Sequence, residues 1–100
     1  MFMNMQAMLK QAQALQKDML KAKEEIDNTD FVGESSLVKI TMKGTKEVTK
    51  VEIQSEDGLD KDDIEMLEDM IVVAINDANK KIDKMTESKM SKFGNIPGLF

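Results

Sequence analysis

The stretch LVKITMK, residues 37–43, decides the fold, because its apolar and polar residues alternate from Val38 to Lys43. A period of two places Val38, Ile40 and Met42 on one face of a β-strand and the polar residues on the other. The alternation therefore predicts a strand that is buried on one side only.

Two further strands are expected on either side of this one in the sequence. Residues 44–46 (GTK) predict a turn, and alternation resumes over residues 47–54. Val48 falls out of phase there, which indicates a bulge near Thr49 or the exposed start of the strand. A short strand is also expected around residues 31–32. Because the connections are short, the three strands predict an antiparallel meander.

The segment before the strands, from about Asn4 to Asn28, predicts a long helix. Its apolar residues recur at alternating spacings of three and four, and no Gly or Pro interrupts them. This narrow heptad seam must lie against another helix to be stable. The seam consists of Met5, Met8, Ala12, Leu15, Met19, Ala22 and Ile26.

A second long helix is predicted after the strands. Asp60 is the expected N-cap, and Leu59 and Ile64 stand where a hydrophobic staple would place them. The middle of this helix, residues 66–78, is apolar almost all round, so we expect the sheet to bury one side and a second subunit to bury the other. The expected dimer-interface residues are Met66, Met70, Ile71, Ala74, Ile75 and Ala78.

The predicted architecture is therefore a single α+β domain over residues 1–92, with the element order α-β-β-β-α. One hundred residues support one domain with a thin core, which dimerisation would help. Residues 93–100 contain two Gly and the only Pro, and they are expected to form a flexible C-terminal tail.

Several classes of function are disfavoured by the composition. The chain has no His and no Cys, and no nucleophile–base pair can be proposed from the remaining groups. A calcium loop starting at Asp57 or Asp60 would lack the Gly required at its sixth position. Acids at a helix N-terminus are favoured by the helix dipole in any case. We predict no enzyme, no metal, no cofactor and no small-molecule substrate.

Membrane and secretory signals are also not found in the sequence. The N-terminus has no basic segment followed by an apolar run, and the longest apolar run, residues 70–75, is too short to span a bilayer. We expect a cytoplasmic protein that does not associate with membranes.

Charge is distributed unevenly along the chain. The net charge is −5, and all fourteen basic residues are Lys, so net charge alone argues against nucleic acid as a partner. Residues 55–78, however, carry nine acids against one Lys, whereas residues 1–23 and 79–100 each carry a net charge of +3. The acidity is thus concentrated in one block, and the segments at the two termini are basic.

Lysines in the two helices form a candidate DNA-binding surface. In the first helix they occupy the earlier part, while acids crowd the C-terminal end, which is the reverse of what the helix dipole favours. If the helices flank the sheet antiparallel, the start of the first lies near the end of the second. A solvated charged face remains the alternative interpretation. The candidate DNA-binding residues are Lys10, Lys17, Lys21, Lys80, Lys81, Lys84 and Lys89.

The chain resembles the YbaB/EbfC family of nucleoid-associated proteins along essentially its whole length. The resemblance implies a helix, a three-stranded antiparallel sheet and a long helix that dimerise into a tweezer shape, and duplex DNA binding with little sequence preference. It rests on the segments MLKQAQ (8–13), GES (33–35), LVKITMKG (37–44), VEI (51–53), MLEDM (66–70) with Ala74 and NDA (76–78), and PGLF (97–100).

Two hypotheses about function follow. The first is a homodimeric nucleoid protein that contacts DNA phosphates through basic helix ends; it lacks Arg, the usual residue for bidentate guanine contacts. The second is a dimeric adaptor that binds another protein through its Met-rich first helix or apolar tail, without significant DNA affinity. The acidic balance favours the second hypothesis, and the reversed charge order of the first helix, together with the resemblance, favours the first.

Overall fold

The structure, a computed structural model, describes residues 4–94 and confirms the α-β-β-β-α order. The three strands form one antiparallel sheet in the order β1-β2-β3. A single 3-10 turn precedes the second helix, and another follows it. The elements are α1 (Met5–Asp27), β1 (Asp30–Ser35), β2 (Val38–Lys43), β3 (Val48–Ile53), the turn Lys61–Asp63, α2 (Ile64–Met90) and the turn Ser91–Phe93.

Side-chain caps begin both helical segments. The Asn4 side chain accepts a hydrogen bond from the backbone N–H of Gln6 at 2.9 Å. Asp60 caps the turn before α2 by accepting from the backbone N–H of Asp62 at 3.0 Å, and the Asp63 carboxylate accepts from the backbone N–H of Asp60 at 3.0 Å. Asp60 was predicted to cap the second helix; it caps the 3-10 turn that leads into α2, whereas the N-cap residue of α2 itself is Asp63. Two of the clustered acids thus have a local structural role.

The strand that decided the fold lies at the centre of the sheet. Val38, Ile40 and Met42 are at most 2% exposed and face α2. Met42 pairs with Val48, one residue out of the register of the preceding pairs, so β3 carries a bulge at Thr49. This confirms the bulge that the phase shift at Val48 had indicated.

Helix α2 packs closely on β1 and β2 because small residues meet at the contact. A Cβ on Gly33 would overlap the carbonyl oxygen of Ala74 and lie 2.5 Å from the backbone nitrogen of Ala78. Ala74 and Ala78 themselves have no exposed surface. Their assignment to the dimer interface is therefore corrected: both pack beneath the sheet of their own protomer.

The second half of α1 packs against the end of α2. Met19, Ala22 and Ile26 are buried in one cluster with Met90 and Phe93. Phe93 is 8% exposed, so its assignment to the flexible tail is corrected. Residues 95–100 of the predicted tail lie outside the described residues.

The first half of α1, residues 5–18, projects past the end of α2 and is called the arm here. Every arm residue is exposed, and packing begins only at Met19. The helices run antiparallel as expected, but α1 does not flank the sheet, since α2 occupies the covered face and only two residues join α1 to β1. The molecule is therefore long, 75 × 19 × 16 Å, with a radius of gyration of 20.2 Å, against about 13 Å for a compact domain of this length.

Candidate nucleic-acid interface

The arm presents two of the predicted lysines on the side away from its heptad seam. Lys10 and Lys17 are seven residues apart and exposed, and they lie about half a helical turn from Met8 and Ala12. Within residues 4–94 neither lysine forms an ion pair. A phosphate backbone can reach both ammonium groups without displacing a carboxylate.

A second group of lysines meets where α1 packs on the end of α2. Lys21, Lys89 and Lys92 line a cleft of about 530 Å³ together with Asp18 and Glu25. We call these five residues the junction cleft. Three ammonium groups face two carboxylates there, so the cleft keeps a net positive charge.

The Lys89–Glu25 pair closes one side of the junction cleft. Lys89 Nζ donates to Glu25 Oε2 at 3.1 Å. This hydrogen bond and the charge of Lys89 lower the pKa of Glu25, with smaller contributions from Lys21 and Lys92. Lys92 was not among the predicted site residues, although its spacing of three from Lys89 places both on one helical face.

Lys81 has a structural role at the edge of the sheet. Its Nζ donates to the carbonyl oxygen of Val32 at 2.6 Å and lies 3.4 Å from Asp77 Oδ2. The same Asp77 oxygen accepts from the backbone N–H of Glu34 at 3.1 Å, which is the main cause of the lowered pKa of Asp77. This pair satisfies outward-facing backbone groups of edge strand β1, so Lys81 is less available to DNA than its exposure suggests.

The structure brings only some of the predicted lysines together. Lys21 and Lys89 share the junction cleft, whereas Lys80 and Lys84 are exposed further back along α2. From Lys10 to the level of Lys80 the separation along the helices is about 30 Å, at about 1.5 Å per residue. The seven lysines are therefore spread along both helices, and those on the arm are free of ion pairs among the described residues.

The acidic block lies far from the arm. Residues 56–69 precede and begin α2, and about 30 Å of helix separates them from the junction cleft, at about 1.5 Å per residue. Opposite charges thus collect at opposite ends of a long molecule. A polyanion approaching the arm is not repelled at short range by this block, because the distance exceeds the Debye length of about 8–10 Å.

Apolar side chains are left uncovered on both β3 and α2. Val48, Val51 and Ile53 are 41%, 50% and 44% exposed, although they pair with the buried residues of β2 and so share its α2-facing side. On α2, Met66, Val72 and Val73 are also exposed, while Met70, Ile71 and Ile75 are half-buried against the protomer's own core. The β3 residues were missed as interface candidates, although the alternation of Val51 and Ile53 carried the signal.

No group of three or more potential metal ligands lies together among residues 4–94. In the same part of the chain, neither helix has a stretch long and apolar enough to cross a membrane.

Comparison with known proteins places these features in a family. A sequence model described as the YbaB/EbfC DNA-binding family matches residues 1–96. A nucleoid-associated protein of Ligilactobacillus salivarius is 44% identical over 97% of this chain and 95% of its own length. One from Lactococcus lactis subsp. lactis is 47% identical over 91% of this chain and 93% of its own.

A solved structure shares the fold. The crystal structure of an uncharacterised Helicobacter pylori protein superposes with a TM-score of 0.73 at 16% identity, covering 94% of this chain and 100% of that one.

Proposed function

Because the chain belongs to the YbaB/EbfC DNA-binding family, we propose that it is a nucleoid-associated protein whose dimer binds duplex DNA through phosphate contacts. The observation that carries this proposal is the arm, whose lysines are exposed and lie far from the acidic block. Lys10, Lys17 and the junction cleft supply the primary contacts, and Lys80 and Lys84 extend them. Lys81 has a secondary role because it caps β1.

Low sequence specificity is expected because Lys is the only type of basic residue that could contact DNA. Every basic residue is Lys, and an ammonium group is a point charge without the planar fork that reads guanine. Phosphate contacts fix the position of a protein on DNA but carry no sequence information. The protein is expected to coat or bridge DNA at the nucleoid rather than to select an operator.

The dimer is proposed to form across β3 and the neighbouring side of α2. The outer edge of β1 is capped by Asp77 and Lys81, whereas nothing among the described residues pairs with the outer edge of β3. Exposed strand edges with apolar neighbours are sites of association. A second copy would cover Val51, Ile53 and Val72 together and leave both arms projecting.

A DNA titration tests the proposal directly. Two unrelated duplexes of equal length should bind with similar affinity at low salt and weaken together as salt rises. With about four to six phosphates neutralised per dimer, the slope of log K against log salt should be about −4 to −5. Strong binding to one duplex, with the other unbound at the same salt, would contradict the proposal.

An adaptor function is the second candidate, and the apolar side of the arm favours it. Met5, Met8 and Leu9 are 83%, 49% and 59% exposed, and the chain as a whole is acidic. A protein partner that covers this side would explain why the seam extends past α2. Absence of DNA binding at low salt, with the dimer intact, would favour this candidate.

A further inference from the structure

The C-terminal end of α1 carries an acid that helix stability does not explain. Glu25 stands three residues before the C-cap Asn28, where the helix dipole disfavours a negative charge. No basic residue lies in the last turn of α1 to compensate for it. The Glu25 carboxylate is matched instead by the lysines that meet at the junction cleft.

Glu25 lies among the three ammonium groups of the junction cleft. Lys89 Nζ donates to its Oε2 at 3.1 Å, and Lys21 is one turn earlier on the same face of α1. The hydrogen bond and the charge of Lys89, then the charges of Lys21 and Lys92, lower the pKa of this carboxyl group. A carboxylate thus already occupies the place where the three positive charges converge.

Lys21 and Lys92 differ from Lys89 in having no carboxylate partner. Neither forms an ion pair within residues 4–94. Lys92 Nζ lies 5.1 Å from the centre of the Phe93 ring, and a cation over an aromatic face is attracted to it while keeping its charge. The cleft therefore has two available ammonium groups and one that Glu25 occupies.

The junction cleft can admit a phosphate group. Its volume of about 530 Å³ is many times the roughly 30 Å³ that one water molecule occupies. The side chains of Lys89 and Glu25 are 34% and 52% exposed, and ion pairs at such exposure add little to stability. A phosphodiester oxygen accepts the same charge-assisted hydrogen bond as a carboxylate oxygen, so one anion can replace the other at Lys89.

We propose that the Glu25 carboxylate mimics a DNA phosphate: it holds Lys89 in the free protein and is displaced when a phosphate enters the junction cleft. The inference rests on the proposed DNA binding and adds a competing group within that site. Glu25 is then an autoinhibitory residue, because DNA must break the Lys89–Glu25 pair before Lys89 contributes to affinity. Lys21 and Lys92 make the first contacts, since no ion pair has to be broken at either.

Removal of the Glu25 charge tests the proposal, with Asp18 as the matched control. Both acids are exposed and line the junction cleft, but Asp18 forms no ion pair among the described residues. At low salt, Asp18→Asn should tighten binding of a duplex of arbitrary sequence about twofold, because it only relieves a repulsion across water. Glu25→Gln should tighten it about tenfold, because it also frees an ammonium group whose contact with a phosphate contributes about fivefold in water. Circular dichroism should show the same fold in both variants.

The salt dependence separates a freed lysine from a general change of charge. Glu25→Gln should steepen the slope of log K against log salt by about one unit for each cleft that engages DNA, because each freed ammonium group neutralises one more phosphate. Asp18→Asn frees no ammonium group and should keep the wild-type slope. Equal tightening and equal slopes in the two variants overturn the proposal, since the cleft then responds only to its net charge.

A double-mutant cycle with Lys89 gives the most direct comparison. In wild type, Lys89→Gln should weaken binding by no more than about twofold, because the lost phosphate contact is offset by the ion pair that no longer has to be broken. In the Glu25→Gln background the same change should weaken binding about fivefold. Lys17→Gln, on the arm, is the control and should cost the same in both backgrounds, because Lys17 is not among the groups that act on Glu25.

The outcomes distinguish this inference from the function on which it rests. Equal losses for Lys89→Gln in the two backgrounds overturn the inference while leaving DNA binding intact. They would assign the Lys89–Glu25 pair to bracing α1 on α2. Absence of duplex binding by wild type and by every variant at low salt overturns the proposed function, and this inference with it.

Discussion

Gly33 shows how one missing side chain sets the distance between sheet and helix. A Cβ there would overlap the carbonyl oxygen of Ala74 and lie 2.9 Å from the Cβ of Ala78. We expect Gly33→Ala to reduce the free energy of unfolding by about 2–3 kcal/mol, because the added methyl group forces α2 off the sheet. Urea denaturation followed by circular dichroism measures the change.

Gly58 offers a control for the Gly33 substitution. It has a φ of +77°, and no atom lies within 4 Å of the position that a Cβ would occupy there. Gly58→Asn should change stability little, because Asn tolerates the left-handed region. Equal losses for the two variants would show that close packing at Gly33 is not the cause.

Asp77 makes stability depend on pH at the edge of β1. The hydrogen bond from the Glu34 N–H, followed by the charge of Lys81, holds the pKa of Asp77 below its ordinary value. Because the pKa of Asp77 is lower in the folded state, the unfolded chain binds the proton more tightly. The stabilisation is therefore present above the ordinary aspartate range, and it is lost as pH falls through the folded pKa. Wild type should therefore exceed Asp77→Asn in urea midpoint at pH 6, and the difference should vanish in strong acid. A difference that persists at low pH contradicts this explanation.

Substitution of the arm lysines distinguishes a DNA-binding face from a face that is only solvated. Lys10→Glu and Lys17→Glu should leave the fold intact, since both side chains are exposed and face away from the seam. Affinity should fall for every duplex alike, and the salt slope should flatten by about one unit per lost contact. Lys61→Glu, in the acidic block, is the matched control. Equal effects at the three positions would favour the solvated-face interpretation.

At the scale of elements, the periodicity of the sequence predicted which helices and strands form, but it did not predict which parts of them are buried. The heptad seam of α1, the alternation of β2 and the bulge in β3 are local patterns, and the structure has all three. Which part of the α1 seam is buried depends on a distant part of the chain. Met19 and Ile26 are buried while Met8 is exposed, because the packing ends where α2 ends.

The misassigned residues of α2 have a comparable cause. The stretch over residues 66–78 is apolar almost all round, and such a stretch does not say which side meets the sheet. Ala74 and Ala78, small residues four apart, pack against Gly33. The sequence held a signal for this: two small residues four apart on a helix can pack closely on a Gly in a strand. That match would have predicted which side of α2 faces the sheet.

The contact between α1 and α2 makes a prediction for Phe93. Its ring is buried with Met19, Ala22 and Met90, so Phe93→Ala should cost about 2–4 kcal/mol, toward the lower end of core Phe truncations because the site lies near a helix end. Chemical denaturation measures the loss, and amide exchange should accelerate over residues 19–26. Leu20→Ala, at an exposed position of the same helix pair, is the control and should cost far less.

The whole molecule is long, and it leaves apolar side chains of the sheet uncovered. A radius of gyration of 20.2 Å exceeds the compact expectation of about 13 Å, and apolar residues of β3 remain 41–50% exposed. From the apolar character of α2 the sequence predicted a second subunit, and this stays a prediction. It did not predict the arm as a projection, since nothing local in residues 5–18 differs from the packed half of the same helix.

A substitution at Val51 tests the proposed dimer without altering the lysines of the arm. Val51 is 50% exposed in the protomer, so Val51→Asp should leave the protomer folded but oppose the dimer, because an unpaired charge would be buried in the interface. Sedimentation equilibrium should then give 11.3 kDa. Lys50→Gln, next in the strand and ion-paired with Glu52 at 2.7 Å, is the control and should stay dimeric.

The monomeric variant also tests whether two arms act together on DNA. It keeps the arm lysines but presents one set instead of two, so the slope of log K against log salt should fall to about half of the dimer value, since the slope counts neutralised phosphates. Affinity should fall by more than the factor of two expected from site number, because the second arm binds at a high effective concentration once the first is engaged. A monomer that binds with the full slope would mean that one arm makes all the phosphate contacts. The proposed pairing across β3 would then serve stability alone.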